Sequence, residues 1–174
     1  MKKIVPTLFG IFLCAACHKN NANPTTGSGF WDVDDQRYNA NYVTRKDTAG
    51  LVLLLAQDES GSPSHPANSI GILFHSLPAD TGSFQVLWQY YDTLQAPGPG
   101  QISVFGTRIK PDSCGSQAFF VGPYNNMDPW TLGPPATVKV INGKINVVIP
   151  PLLAAAFNTC YLDSVKVFAS IQER

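Results

Sequence analysis

The chain has 174 residues, and its 12 basic and 12 acidic residues give a formal net charge of zero. It contains no run of lysines or arginines of the kind that follows a phosphate backbone, which argues against nucleic acid as a partner. A chain of this length suits one domain with one hydrophobic core.

The N-terminus has the charge and hydropathy pattern of an export signal. Lys2 and Lys3 precede thirteen uncharged residues, 4–16, and Ala15-Ala16 stands directly before Cys17. A positive start, an apolar stretch and small residues before a cleavage site are typical of a secretory signal peptide. So short a stretch cannot cross about 30 Å of hydrocarbon as a helix. The pattern therefore predicts a targeting segment that is cleaved off and is not part of the folded domain.

This region resembles the bacterial lipoprotein signal, in which small residues precede the cysteine that is lipidated. Ala15, Ala16 and Cys17 match that motif, whereas Cys14 takes the place of the usual branched apolar residue and Leu13 comes one position early. The resemblance implies a signal peptide over residues 1–16, a lipid on Cys17, and anchoring in the cell envelope at the outer membrane. A plain secreted protein cut nearby, or a membrane-anchored N-terminus, is the alternative.

Residues 17–29 predict a flexible tether between the lipid and a single folded domain, 30–174. Beyond Cys17 they are polar or small and offer nothing to bury. Removal of the signal leaves 158 residues, of which ten are basic and twelve acidic. The lipid on Cys17 is the expected link to the membrane.

Two cysteines remain for the domain once Cys14 is removed and Cys17 is lipidated. In an oxidising compartment, two remaining cysteines predict one disulfide, between Cys114 and Cys160. Closing a loop of about 46 residues would stabilise the fold by roughly 4 kcal/mol in the chain-entropy model. Two cysteines so far apart, without nearby histidines, do not make a zinc site.

Period-two alternation runs through residues 30–174 and predicts an all-β domain. Some nine or ten strands, with turn signals about every ten residues, favour an antiparallel β-sandwich. A small β-barrel is the alternative, because Gly29-Phe30-Trp31 is similar to the opening strand of the lipocalins.

The strongest local signal is Asn142-Gly143 between two alternating runs, which predicts a type I′ hairpin. A two-residue loop pairs Ile141 with Lys144 and Val140 with Ile145, so one face of the hairpin is apolar. Residues 152–157, entered through two prolines, are the one candidate for a short helix. Two long loops, 58–69 and 122–135, are candidates for function.

Three further segments are similar to small β-domains found in envelope lipoproteins of Bacteroidota: Phe30-Trp31-Asp32-Val33-Asp34, Tyr38-Asn39-Ala40 and Gly82-Ser83-Phe84. The resemblance spans about a third of the chain. It implies an envelope location and no particular activity.

The sequence contains few of the residue patterns that catalysis requires. It lacks a nucleophile motif, and the domain has only His65, in a long loop, and His75, expected as a half-buried structural residue. Asp32, Asp34 and Asp35 suggest the first ligands of a calcium loop, but the later glycine and glutamate of that motif are missing. We therefore expect no catalytic residue, no metal and no cofactor.

Aromatic and amide side chains of the long loop 122–135, together with Tyr91 on the strand that carries Trp88, are the best candidates for binding. Rings give stacking area and amides give directional hydrogen bonds, a combination suited to a glycan or another envelope protein. The candidate residues are Tyr91, Tyr124, Asn125, Asn126, Asp128 and Trp130. The alternative for Trp130 is a structural cap on the domain. The sequence thus favours a non-enzymatic binding or accessory lipoprotein, with a ligand-holding barrel and a small envelope hydrolase as alternatives.

Overall fold

All regular structure in the described chain is β-strand, which confirms the all-β prediction. The computed structural model describes residues 25–26, 28–59, 61, 67–89, 95–109, 115–122, 133–158, 160 and 162–174. None of these residues belongs to a helix that is long and apolar enough to cross a membrane. The strands are β1 (Thr25–Thr26), β2 (Ser28–Val33), β3 (Gln36–Asn39), β4 (Tyr42–Thr48), β5 (Leu51–Gln57), β6 (Ser69–Phe74), β7 (Gly82–Val86), β8 (Gln101–Ile109), β9 (Ser116–Val121), β10 (Ala136–Ile141), β11 (Lys144–Phe157) and β12 (Leu162–Gln172).

The strands form one continuous sheet with two halves. The first half has the order β1-β4-β5-β6-β8, and the second half has the order β11-β12-β2-β3. Two separate bridges join β8 to β11, one made of β7 and β10 and the other of β9 alone. Because both halves turn an apolar face inward, the sheet encloses a common core in the manner of a sandwich.

β8 and β11 each hold two partners along one edge. In β8, residues 101–102 pair with β7 and residues 105–109 pair with β9. In β11, residues 144–148 pair with β10 and residues 154–157 pair with β9. The β7–β8 pair is parallel, which departs from the predicted antiparallel arrangement. Residues 87–100 supply the crossover of a dozen or more residues that a parallel pair requires.

The core combines side chains of both halves. Trp31 and Ile171 of the second half and Leu54 and Phe74 of the first half belong to one buried cluster. Trp31 also stacks on Tyr38, with ring centroids 5.4 Å apart. Burial of each such side chain contributes about 1.5–3 kcal/mol, so this cluster is the main source of stability.

The hairpin between β10 and β11 follows the predicted register. Ile141 pairs with Lys144, and Val140 pairs with Ile145. Asn142 and Gly143 both have positive φ, of 52° and 73°, as a type I′ turn requires. The turn chemistry and the alternation on both sides of it agree, so this prediction is confirmed.

Residues 152–157 are strand and not the short helix considered from the sequence. They form the second part of β11, where Ala154 pairs with Val121 of β9 and with Val165 of β12. The register with β12 shifts between Ile149 and Leu152, because Pro150 and Pro151 have no N–H to donate to the ladder. Pairing on both edges outweighs the helix propensity of the alanines.

Strand pairing begins within the stretch that the sequence assigns to the tether. Thr25 and Thr26 pair with β4, and β2 begins at Ser28. Gly29 has a φ of 127°, and a Cβ there would overlap the carbonyl of Ser170 in β12. The glycine therefore permits the close approach of β2 to β12, and ordered structure starts before the predicted boundary at residue 30.

The end of the chain links the two halves of the sheet. One carboxylate oxygen of Glu173 accepts hydrogen bonds from the backbone N–H of Ile145, at 2.9 Å, and from Nη1 of Arg45 in β4, at 3.2 Å. The same Nη1 donates to the carbonyl of Gly143 at 3.0 Å. Since Glu173 is only 8% exposed, this pairing satisfies a carboxylate that is expensive to bury alone.

Candidate functional site

The residues that the sequence selects for binding lie outside the described residues, and so do Cys17 and Cys114. The binding candidates are Tyr91, Tyr124, Asn125, Asn126, Asp128 and Trp130. They belong to two segments, residues 90–94 and residues 123–132. The described chain on either side of each segment defines where these loops begin and end.

The first loop is held at both ends by the side chain of Gln89, which is 3% exposed. Its Nε2 donates to the carbonyl of Gln95 at 2.7 Å and to Oγ of Ser103 at 2.9 Å. Its Oε1 accepts from the backbone N–H of Gln95 at 2.7 Å. One buried amide therefore ties the start and the end of the loop to each other and to β8.

The second loop begins against the root of the first. The backbone N–H of Gln89 donates to the carbonyl of Val121 at 2.9 Å. A Cβ on Gly122 would overlap the backbone carbonyl oxygen of Gln89. The two backbones thus touch at this position, and only a residue without a side chain fits.

The second loop returns to the same region. The N–H of Gly133 donates to the carbonyl of Val86 at 3.3 Å, and a Cβ on Gly133 would crowd Nε1 of Trp88 and Cδ2 of Leu152. We name the cluster of Trp88, Gln89, Gly122 and Gly133 the loop-root cluster. It lies at the point along β8 and β11 where pairing with β9 ends and pairing with β7 and β10 begins. The structure therefore brings together the described residues that flank the two segments carrying the predicted binding residues.

The acidic turn between β2 and β3 is engaged by other side chains. Arg37 donates to both carboxylate oxygens of Asp32, at 2.8 and 2.9 Å, and these hydrogen bonds lower the pKa of Asp32. Arg37 also lies over the ring of Phe30, 3.9 Å from its centroid. Asp34 accepts from the backbone N–H of Lys166 at 2.9 Å. In the part of the chain that the structure describes, no three potential metal ligands form a group.

His75 is exposed, so the expectation of a half-buried residue is wrong. It follows β6 directly, and its Nδ1 lies 3.2 Å from the carbonyl oxygen of Pro97. Beyond the end of a strand, the alternation that suggested burial no longer applies. His65 lies outside the described residues.

Gln89 and Gly122 are the residues of this region that the sequence did not single out. Gln89 stands between aromatic residues at the end of an alternating run, which is typical of a polar position on a strand. Its partners lie six and fourteen residues along the chain, and its backbone contact is to the end of β9. No local pattern in the sequence encodes contacts of this range.

Comparisons with family models, with curated proteins and with solved structures found no match to the chain. Any statement about function therefore rests on the residues and on their arrangement.

We predict that Gly122→Ala destabilises the protein by about 1–3 kcal/mol, because the new methyl group cannot avoid the backbone of Gln89 without shifting a loop root. Gly82→Ala is the matched control, since its Cβ would come no closer than 3.8 Å to Phe84. Urea unfolding of both variants measures the difference. Equal midpoints for the two variants would show that the loop roots are not packed as described.

Proposed function

We propose that the protein is a lipid-anchored protein of the cell envelope, at the outer membrane, that acts without catalysis by binding a glycan or another envelope protein. Its binding surface is formed by the two loops, residues 90–94 and 123–132, that leave the loop-root cluster. The lipid on Cys17 holds the domain at the membrane.

The observation that supports this proposal most directly is the shared root of the two loops. Tyr91 is two residues from Gln89, and Tyr124 is two residues from Gly122. Two residues span at most about 7 Å, so each ring is limited to a short distance from one packed cluster. Binding residues are often carried by loops on a rigid scaffold, and this arrangement supplies that scaffold.

The residue types in these loops suit recognition better than they suit reaction. Rings and amides hold a polar ligand by stacking and by directional hydrogen bonds, and they do not supply a nucleophile with its base. Elsewhere in the domain, the carboxylates of Asp32 and Asp34 are already bonded to Arg37 and Arg108. These observations favour binding over hydrolysis as the role of the domain.

The position of β1 limits the reach of the anchor. Seven residues, 18–24, separate Cys17 from Thr25, and they can span at most about 25 Å. The domain is therefore proposed to stay close to the lipid surface, with a shorter tether than residues 17–29 would provide.

A disulfide between Cys114 and Cys160 is part of the proposal, because it fits an oxidising envelope. Ala118 of β9 pairs with Phe157 of β11, so the start of β9 lies beside the end of β11. Cys114 precedes β9 by two residues and Cys160 follows β11 by three, so each cysteine is close in sequence to one of these paired ends.

The disulfide predicts that maleimide adds nothing to Cys114 or Cys160 in protein that has not been reduced. Intact mass spectrometry of freshly isolated envelope protein measures the addition. Cys160→Ser serves as the control, because it should release one thiol, that of Cys114, to the reagent. Labelling of both cysteines in the unreduced wild type would exclude the bond.

For the anchor, we predict that cells fed a clickable fatty acid label the wild-type protein and do not label Cys17→Ser. The thiol of Cys17 is the expected attachment point, so its removal should also move the protein from the membrane to the soluble fraction. Cys14→Ser is the matched control and should remain labelled. Equal labelling of wild type and Cys17→Ser, or no labelling of either, would contradict the anchor.

For the binding surface, we predict that Trp130→Ala loses binding on a glycan array while its melting temperature stays unchanged. Truncating a good aromatic anchor costs about 2 kcal/mol or more of binding free energy, roughly a thirtyfold loss of affinity. Leu77→Ala is the control for loss of exposed apolar surface, since Leu77 is 50% exposed in a different turn. A lower melting temperature for Trp130→Ala, with no glycan bound by the wild type, would identify Trp130 as a structural cap instead.

A further inference from the structure

Three turns lie together at one end of the domain. They are the β4–β5 turn, residues 75–81 after β6, and the tip of the β10–β11 hairpin. Val52, near the start of β5, pairs with Phe74 at the end of β6, so the first two turns are adjacent. The backbone N–H of Val140 donates to Oγ1 of Thr81 at 3.3 Å, so residues 75–81 also reach the hairpin. We name residues 48–51, 75–81 and 141–144 together the hairpin end.

The hairpin end carries exposed apolar side chains on neighbouring turns. Leu77 is 50% exposed and Ile141 is 53% exposed. Leu51 and Leu53 of β5 also face outward there and are partly buried, because they alternate with the inward-facing Val52. Large apolar residues exposed singly are ordinary, whereas several at one end of a domain are typical of an interaction surface.

Charge distinguishes the hairpin end from the opposite end, which holds the turn after β2 and the ends of β5, β8 and β11. In the described chain, four cations and two carboxylates lie at or near the hairpin end, besides the paired Arg45 and Glu173: Lys46, Lys139, Lys144, Arg174, Asp47 and Asp80. The described charges of the opposite end are two cations and five carboxylates: Arg108, Lys166, Asp34, Asp35, Asp58, Glu59 and Asp163. The hairpin end is therefore cationic, and the opposite end is anionic.

The direction of β1 also relates the N-terminus to the hairpin end. β1 is antiparallel to β4, with Thr25 opposite Val43, so going back along β1 follows β4 toward Thr48. The five steps from Val43 to Thr48 cover about 17 Å. Residues 18–24, which separate Cys17 from Thr25, can span at most about 25 Å. A lipid on Cys17 can therefore lie level with the hairpin end.

A phospholipid surface matches these features. Proteins that lie on a membrane place apolar side chains between the headgroups and lysines or arginines against anionic phosphates. An anionic leaflet attracts the hairpin end and repels the carboxylates of the opposite end. Residues 18–24 are long enough to let the lipid approach either end, so charge and the direction of β1 decide the orientation.

We propose that the hairpin end docks on the anionic phospholipid leaflet that carries the anchor. Leu77 and Ile141 lie among the headgroups, and Lys46 and Lys139 face the phosphates. This inference rests on the lipid on Cys17 proposed above, and it adds an orientation in which the anionic end of the domain faces away from the membrane.

The test uses the lipidated protein in vesicles of phosphatidylethanolamine and phosphatidylglycerol, with an NBD label on one introduced cysteine. We expect nitroxide-bearing lipids in the vesicle to quench the label on Leu77→Cys and on Ile141→Cys. Leu153→Cys is the matched control, because Leu153 is 62% exposed and lies about 30 Å along β11 from Lys144. Its label should not be quenched. Protein without an introduced cysteine corrects for labelling of the native cysteines.

The lysines provide a second measurement. In the protein labelled at Leu77→Cys, Lys46→Gln and Lys139→Gln should each lower the ratio of docked to undocked protein about fivefold, equivalent to about 1 kcal/mol. Lys166→Gln, at the opposite end, is the matched control and should leave the quenching unchanged.

Flotation of the protein with the vesicles separates this inference from the anchor itself. Protein that floats, while the labels at positions 77 and 141 are quenched no more than the label at position 153, keeps the anchor and overturns the docking. Protein that does not float overturns both. Mutual quenching of labelled copies, without quenching by the lipid, would assign the hairpin end to a second copy and also overturn the docking. Ile141→Cys keeps the test valid where Leu77→Cys does not fold.

Discussion

The unequal lengths of neighbouring strands are the constraint on which the rest of this structure depends. β8 has nine residues, whereas β7, alongside its first part, has five. A buried strand edge must have its N–H and C=O groups paired, so β9 is needed to complete the edge of β8. β11, with fourteen residues, shares its edge between β10 and β9 in the same way. The two bridges of the sheet follow from this sharing.

The loop-root cluster is a consequence of the same sharing. Where one partner strand ends and the next begins, the chain must leave the ladder, and it does so at Gln89, Gly122 and Gly133. A single buried amide, that of Gln89, replaces the strand pairing that is lost there. Loops that leave one fixed place can present side chains to one ligand, which is why we propose a binding role for this region.

Two regions of the core join the parts of the sheet in different ways. The loop-root cluster holds backbone segments together where β9 stops and β7 and β10 continue the sheet. At one end of the core, Arg108 of β8 donates to Asp34 in the turn after β2 and so joins the two halves of the sheet.

Local chemistry in the sequence determined the strand character, the hairpin at Asn142 and Gly143, and most of the inward faces, because alternation and turn preference act within a few residues. It also determined the candidate export signal and the loop residues proposed for binding. Only tertiary structure decided that residues 152–157 are strand, that one strand pair is parallel, and that Gln89 joins two loops. It also brought Arg108 to Asp34 across the two halves of the sheet. These features depend on strand register between distant segments, and no short stretch of the chain encodes that register.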